Sequence, residues 1–561
     1  MADGWARSRR RRSSRVVAGE PGPRSGRGVT RGVGAAAVLI AVVTVGARLA
    51  GFGRTVVFSQ TVGDTCLGTA YVTANQLPAV LFEIVIGGAL TAVVVPVLAA
   101  AAHRGDHDQV RWTVSALVTW VLVLSVPLAV LIALVSVPAM ALMLGQGAGC
   151  DHAALLALAA RMVVVFAPQV VFYGLAAVLY GVLQSHRRYL APALAPLVSS
   201  LVVIAVYLAF VPLGADHRQD IGGLSTAAEL TLSVGTTLGV SALFLTVLGP
   251  AARLRIRPRP RLTFPPGVGQ RVRALAAASL LPLVAMQVSL LLSVALANWG
   301  GGAGAAVLYT YAWALFALPY GVIAVPIATS AFTALSVAHA EHDQVRFDAV
   351  VSGAARACVV VTAGLGTALA AAAGPVAAVF AQQDPLPLER ALLAYAPGVV
   401  GFGLVALLSR ALFASHRGRP AALAQVAGWL VVMVCAVVLV WASRPDWTIA
   451  ALGAGSTIGL SLAAALLCAA VVRAHGRAAL GGLGRSLGAA AAGGAVGWCA
   501  GRALVPILPA EGVWPTLGAA VTAATVALAG YAVVAAVVDR AAVRAVVGRA
   551  RSALDSRRGK R

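Results

Sequence analysis

Apolar runs alternate with short polar breaks along almost the whole chain, and the runs exceed the ~18 residues that mark a membrane-spanning candidate. In lipid every backbone group needs an internal partner, so such runs predict helices. Fourteen are expected, near 33–61, 69–101, 112–144, 153–183, 189–214, 226–250, 273–298, 304–336, 347–380, 389–414, 420–442, 447–472, 485–508 and 514–538. The breaks alternate in charge. Even-numbered ones carry most arginines, whereas odd-numbered ones hold Asp64, Asp151, Asp216, Asp220, Glu229, Asp384, Glu389, Asp446 and Glu511. By the positive-inside rule the arginine side faces the cytoplasm, together with both termini. The expectation is an all-α, multi-pass protein of the plasma membrane.

Two echoes point to an internal duplication. His107-Asp108-Gln109-Val110-Arg111 returns at His342–Arg346, an offset of 235 residues. Ala167-Pro168-Gln169-Val170-Val171 returns as Ala396-Pro397-Gly398-Val399-Val400, and the two stretches lead into Ser185-His186-Arg187 and Ser415-His416-Arg417, an offset of 230. Six helices separate each pair, so the two halves keep the same orientation, as in parallel-repeat transporters. The expected parts are a basic tail (1–31), a six-helix lobe (32–250), an arginine-rich linker (251–272), a second six-helix lobe (273–472), two further helices (473–538) and a basic tail (539–561).

Composition narrows the function classes. The chain is 60% hydrophobic and 11% charged over 561 residues, with net charge +24. That charge sits in clusters beside the apolar runs: nine arginines in the first 31 residues, eight basic residues in the last 22, and Arg253, Arg255, Arg257, Arg259, Arg261, Arg271 and Arg273 between the lobes. Such clusters suit anionic lipid headgroups better than nucleic acid, for which no recognisable module is present. The first cluster reads as a retained tail, because Arg48 interrupts the following apolar run and no cleavage site follows. No phosphate-binding loop, zinc motif or dinucleotide fingerprint appears, so neither an enzyme nor a cofactor or metal site is expected.

The costly residues are charges deep in apolar runs, each worth at least ~2.5–3.5 kcal/mol unless it meets a partner or a wet cavity. Arg48, Arg54 and Glu83 are the candidates. Arg48 and Glu83 share a similar depth, which admits either an Arg–Glu clamp or a cavity wall for an anionic headgroup. Arg161, Arg356 and Arg410 lie nearer helix ends, where snorkelling suffices. Pro78 and Pro319 follow leucine at equivalent places in helices 2 and 8, as tolerated kinks or as hinges. Cys66 and Cys150 fall in the first two outward breaks, where they could form a disulfide or remain free thiols.

The stretch Arg48-Leu49-Ala50-Gly51-Phe52-Gly53-Arg54, with Ala74-Asn75-Gln76-Leu77-Pro78, Gly87-Gly88-Ala89-Leu90-Thr91-Ala92 and Val95-Pro96, resembles the MurJ/MviN family of lipid II flippases in the MOP superfamily of exporters. Leu318-Pro319-Tyr320-Gly321-Val322 and Ala328-Thr329 agree in the second half. The resemblance implies a MATE-like pair of lobes around a cavity open to alternate sides, with Arg48 and Arg54 as cavity arginines. It also implies a lipid-tail groove made by the last two helices. The implied substrate is an undecaprenyl-diphosphate-linked glycan, carried by a monomer among membrane lipids and, if docked, beside cell-wall synthesis proteins. Phe82 and Ala314 stand where the family carries arginines, and Thr69 where it carries an acid. A less cationic cavity keeps two alternatives open: an exporter of another lipid-linked glycan or drug, and a non-transporting scaffold for cell-wall assembly.

Overall fold

A computed structural model describes residues 27–84, 98, 106–145, 149–264, 268–508, 511–540, 543, 544 and 548, with backbone alone for 27–38, 40, 41, 82 and 268–279. Most of both basic tails, the Gly87–Pro96 segment of the resemblance and the side chains of Arg271 and Arg273 lie outside the described residues. The first half contains α1 (Arg27–Thr61), α2 (Cys66–Phe82), α3 (His107–Leu134), α4 (Ser136–Leu144), α5 (His152–Phe166), α6 (Gln169–Ser185), α7 (Leu190–Gly214) and α8 (Thr226–Ala252). The second contains α9 (Val268–Gly301), α10 (Ala305–Pro319), α11 (Val325–Ala340), α12 (Gln344–Ala371), α13 (Ala373–Phe380), α14 (Leu386–Tyr395), α15 (Gly398–Ala414), α16 (Gly418–Ala442) and α17 (Thr448–His475). Helices α18 (Leu483–Leu504) and α19 (Val513–Val538) follow.

The chain is an all-helical, multi-pass membrane protein. Among the described residues eleven helices are long and apolar enough to span a bilayer, or twelve if α14 and α15, bent by 42°, form one span. Two of the fourteen expected spans are missing from that set. Much of the one beginning at α2 lies outside the described residues, and α18 carries six glycines that dilute its apolar character. Those glycines serve packing instead: a Cβ on Gly497 would stand 2.4 Å from the Ala527 carbonyl oxygen, and one on Gly501 2.7 Å from that of Ala523. Small residues thus let α18 and α19 approach closely.

The duplication is visible in the backbone, but its register differs from that of the sequence echoes. Asp106 caps α3 by accepting from the Gln109 N–H at 2.9 Å, and Asp343 caps α12 by accepting from the Arg346 N–H at 2.9 Å. Their offset is 237, and Val135 and Ala372, which break these spans, share it. The repeated pentapeptides are therefore two residues out of step, because whichever aspartate reaches the N-cap can satisfy the helix end. In α6 and α15 the proline-led starts match at 229, as do the left-handed residues Arg187 (φ 59°) and His416 (φ 56°) beyond their ends. The Ser-His-Arg echo is one residue out. Pro78 and Pro319 also fail to match when counted from the caps Thr65 and Gly304, by two residues.

Between the lobes, the arginine-rich linker forms an extended strap on α3. The Arg259 and Arg261 N–H groups donate to the hydroxyls of Ser115 and Thr119, and the indoles of Trp120 and Trp112 donate to the carbonyls of Leu262 and Thr263. Buried apolar residues divide according to which end of the molecule they occupy. At the end holding Cys66 one cluster crosses both lobes, joining Phe58, Tyr71 and Tyr207 to Tyr311, Phe316 and Phe380. Toward the strap end the lobes keep separate clusters, with Val114 and Val178 in one and Phe347 and Leu407 in the other. Among the described residues the lobes therefore share one apolar cluster at the Cys66 end and keep separate ones toward the strap.

Candidate substrate cavity

Helix α1 carries both candidate arginines to the boundary between the lobes. At 1.5 Å per residue, Arg48 lies about 20 Å and Arg54 about 10 Å from the Thr61 end. Both side chains are exposed, and neither is in an ion pair among the described residues. The Arg48 guanidinium reaches across to the second lobe, where one of its nitrogens lies 3.6 Å from the position a Cβ would take on Gly321. Gly321 sits in a π-helical turn, Tyr320–Ala324, between α10 and α11. Such turns widen a helix locally and often mark functional positions. Glu83 lies just past α2, also in a π-type turn, exposed and in no ion pair among the described residues. The Arg48–Glu83 clamp is therefore not formed in this structure. Equal depth does not ensure pairing, because the two side chains leave different helices in different directions.

Arg54 lines a cavity of about 170 Å³ with Tyr71, Asn75, Gln76, Gln169, Tyr173, Tyr207, Thr236 and Tyr311. A hydrogen-bond relay holds its wall. The Thr236 hydroxyl donates to the Leu232 carbonyl, so it accepts from Tyr71 at 2.7 Å, and Tyr71 in turn accepts from Tyr207 at 2.9 Å. On the other side Gln169 Nε2 donates to Thr237, whose hydroxyl donates to the Val165 carbonyl. Fixed polar groups in an apolar lobe define a place for a polar ligand. Single tyrosines and glutamines in apolar runs gave no pattern from which this cavity could be read.

Two other arginines have partners that the sequence did not show. Arg161, expected to snorkel, makes two hydrogen bonds to the Glu229 carboxylate at 2.9 and 2.8 Å. Arg410 is half-buried and donates to the Ala406 carbonyl at 3.0 Å. It shares a face of α15 with Phe402, which stacks on Tyr320 with centroids 3.7 Å apart. Arg48 and Arg410 thus approach the same π-turn from opposite lobes. Spacing alone could not show this, since Arg410 is close to the end of its own helix.

The closed end is latched by polar contacts between lobes. Asp64 accepts from the Gln382 N–H at 3.1 Å, its carbonyl accepts from Gln383 at 3.1 Å, and the Gly304 N–H donates to Thr69 at 2.8 Å. Gly304 is left-handed (φ 78°), and a Cβ there would stand 2.4 Å from the Asp64 carbonyl oxygen, so only glycine fits. Burial pushes the Asp64 carboxyl up, against the lowering effect of these N–H groups. Cys66 and Cys150, at the same end, are joined as a disulfide with Cα atoms 5.9 Å apart. Elsewhere, α12, α15, α17 and α18 border an apolar groove of about 540 Å³, lined by residues such as Ala363, Val400, Leu404, Ala464, Ala491 and Trp498.

An all-helical, multi-pass chain of two repeated lobes, with α1 arginines that have no acid partner among the described residues, has the features of a membrane transporter. Consistent with that, the fold matches a solved lipid II flippase MurJ in an inward closed conformation, with TM-score 0.67 and 17% identity over 88% of this chain and 98% of that one. It also matches an inward-facing MATE multidrug transporter of the MOP superfamily, with TM-score 0.60 and 17% identity over 80% of this chain and 99% of that one. A family model described as "Lipid II flippase MurJ" matches residues 58–511, and the chain belongs to that family. The lipid II flippase MurJ of Burkholderia cenocepacia is 24% identical over 383 residues, covering 66% of this chain and 71% of the relative. A probable lipid II flippase MurJ of Synechocystis is 28% identical over 254 residues, 43% of this chain and 44% of the relative.

Proposed function

We propose that this protein moves lipid II, the undecaprenyl-diphosphate-linked peptidoglycan precursor, from the inner to the outer leaflet of the plasma membrane by alternating access. One observation carries the reading: Arg48 and Arg54 stand exposed, with no acid partner among the described residues, where the first lobe faces Gly321 and Tyr311 of the second. A polar, anionic head must cross about 30 Å of hydrocarbon while its tail stays in lipid. Guanidinium groups suit the diphosphate because their planar fork gives bidentate, charge-assisted hydrogen bonds. Glu83 lines the wider path between the lobes, outside the small cavity that Arg54 borders. Arg410 supplies cationic charge from the second lobe, and so offsets in part the arginines absent at Phe82 and Ala314. The apolar groove takes the polyprenyl tail.

In this scheme the arginine strap and both termini face the cytoplasm, the Cys66–Cys150 disulfide faces the oxidising outside, and the structure is the inward-facing state. Bending near Pro78 and Pro319, beside the π-type turns, lets the lobes rock. The protein acts as a transporter and not as a catalyst, and works as a monomer. Depletion in the native host is the test. Lipid II reachable from outside should fall, inner-leaflet lipid II should accumulate, and the wild-type gene should restore both. Unchanged external lipid II after depletion would overturn the assignment. It would leave the reading that the missing arginines favour, an exporter of a different polyprenyl-linked glycan.

A further inference from the structure

The wall of the first-lobe cavity holds a buried hydroxyl with no hydrogen-bond partner among the described residues. Tyr311 is 1% exposed, and its ring packs against Phe58 and Phe380 with centroids 6.4 and 5.3 Å away. Its hydroxyl has no hydrogen-bond partner among the described residues, though it stands within electrostatic reach of the Tyr207 hydroxyl. A buried hydroxyl left unpaired costs about 1–3 kcal/mol, so a site that retains one calls for a ligand to complete it.

The surroundings say what kind of ligand. Asn75, Gln76, Gln169 and the tyrosines offer amide and hydroxyl groups that both donate and accept, and aromatic faces line the same space. Among the described residues no carboxylate lines the cavity itself, Glu83 and Asp64 stand only within electrostatic reach of Tyr173 and Tyr311, and Arg54 at its edge suits an anionic neighbour. At about 170 Å³ the space is small, suited to one ring and not to a disaccharide with its peptide. Alternating hydroxyls and an apolar ring face are the chemistry of a sugar.

We propose that this cavity is a subsite for a single sugar ring of the lipid-linked glycan, with the Tyr311 hydroxyl as its ligand from the second lobe. The proposal rests on the flippase reading and narrows it. Tyr311 belongs to α10, whereas most of the wall comes from α1, α2, α6, α7 and α8 of the first lobe. A sugar in the cavity can bond to both lobes only while they are packed at the disulfide end. Its binding therefore favours this state over the one open on that side, as any ligand favours the state it binds more tightly.

The test uses the full-length protein in nanodiscs with two probes, lipid II and sugar-free undecaprenyl diphosphate. Wild type should bind lipid II more tightly than undecaprenyl diphosphate. Tyr311→Phe, which keeps the ring and deletes only the hydroxyl, should weaken lipid II binding about five- to tenfold, as loss of one net hydrogen bond predicts, and leave undecaprenyl diphosphate unchanged. Asn75→Leu should show the same selective loss, and it decides the matter if Tyr311→Phe fails a thermal-unfolding check. Equal weakening of both probes, or of neither, overturns the subsite while wild-type binding still upholds the flippase reading. Wild type that binds neither probe overturns both.

Discussion

The two lobes repeat one backbone plan yet are hollowed in opposite ways. The first holds a polar cavity of about 170 Å³, walled by tyrosines, amides and Arg54. The second, with α18, borders an apolar groove of about 540 Å³ lined largely by alanine, glycine and valine or leucine. Backbone topology distinguishes them only through α18, which walls the groove and lies outside the repeat. Side chains at corresponding depths decide whether a lobe offers hydrogen bonds or a lipid-like surface, and an amphipathic substrate needs one of each. A relay such as Tyr207 to Tyr71 to Thr236 keeps its groups satisfied within the lobe, where half-made bonds would be costly.

The sharpest way to break this contrast is to reverse the charge at the polar side. Arg54→Glu should abolish rescue of a flippase-depleted strain at unchanged membrane levels. Arg54→Lys should rescue partly, because an ammonium keeps the charge and loses the bidentate fork. Full rescue by Arg54→Glu removes Arg54 from the substrate path.

Filling the apolar side comes next in size. Phenylalanine at both Ala464 and Ala491 should weaken binding of a full-length polyprenyl substrate about tenfold, since displacing even two methylenes costs about 1.6 kcal/mol. A short-tailed analogue should bind the double variant as it binds wild type. Equal losses for both tails would mean that the groove does not hold the tail.

A third test concerns the covalent tie of the first lobe. The disulfide joins residues 84 apart in sequence. Replacing both cysteines with serine should cost about 2–4 kcal/mol of stability, read as a lower thermal midpoint under non-reducing conditions. A midpoint identical to wild type would mean that the bond is absent or adds nothing.

The smallest effect is expected at the latch between the lobes. Burial raises the Asp64 carboxyl in the closed state, so the closed state holds that proton more tightly than an open, solvated one. Closure should therefore strengthen as pH falls through the window between the raised value and the ordinary carboxylate value, and weaken as pH rises through it. Spin-label distances across the disulfide end, followed from neutral to acidic pH, would report this. Asp64→Asn keeps the acceptor for the Gln382 N–H and should flatten the response; a variant as pH-sensitive as wild type would assign the effect to another group.

Much of the architecture was legible because hydropathy is a local property. A long apolar run must satisfy its own backbone in lipid, whatever lies beside it, and helices are the consequence. Aspartates at helix starts and prolines at the heads of α6 and α15 were legible for the same reason. Arg48 and Arg54 stood out as charges where charge is costly. Depth could not tell that Arg48 and Glu83 do not pair, nor that Arg161 bonds to Glu229, 68 residues away. Even the echoes that revealed the duplication mark its register only within two residues, since more than one nearby aspartate can cap a helix.

By itself the sequence determined that this chain lives in a membrane, that its plan is doubled and that positive charge is carried deep into its first helix. Each of these follows from neighbours along the chain, through hydropathy, repetition and the cost of burying a charge. The tertiary structure alone decided that Tyr311 of one lobe completes a cavity of the other, that Arg410 and Arg48 meet one π-turn, and that the lobes are joined at the disulfide end. Those relations depend on the direction in which each side chain leaves its helix and on which helices become neighbours, and neither is encoded in any local run of residues.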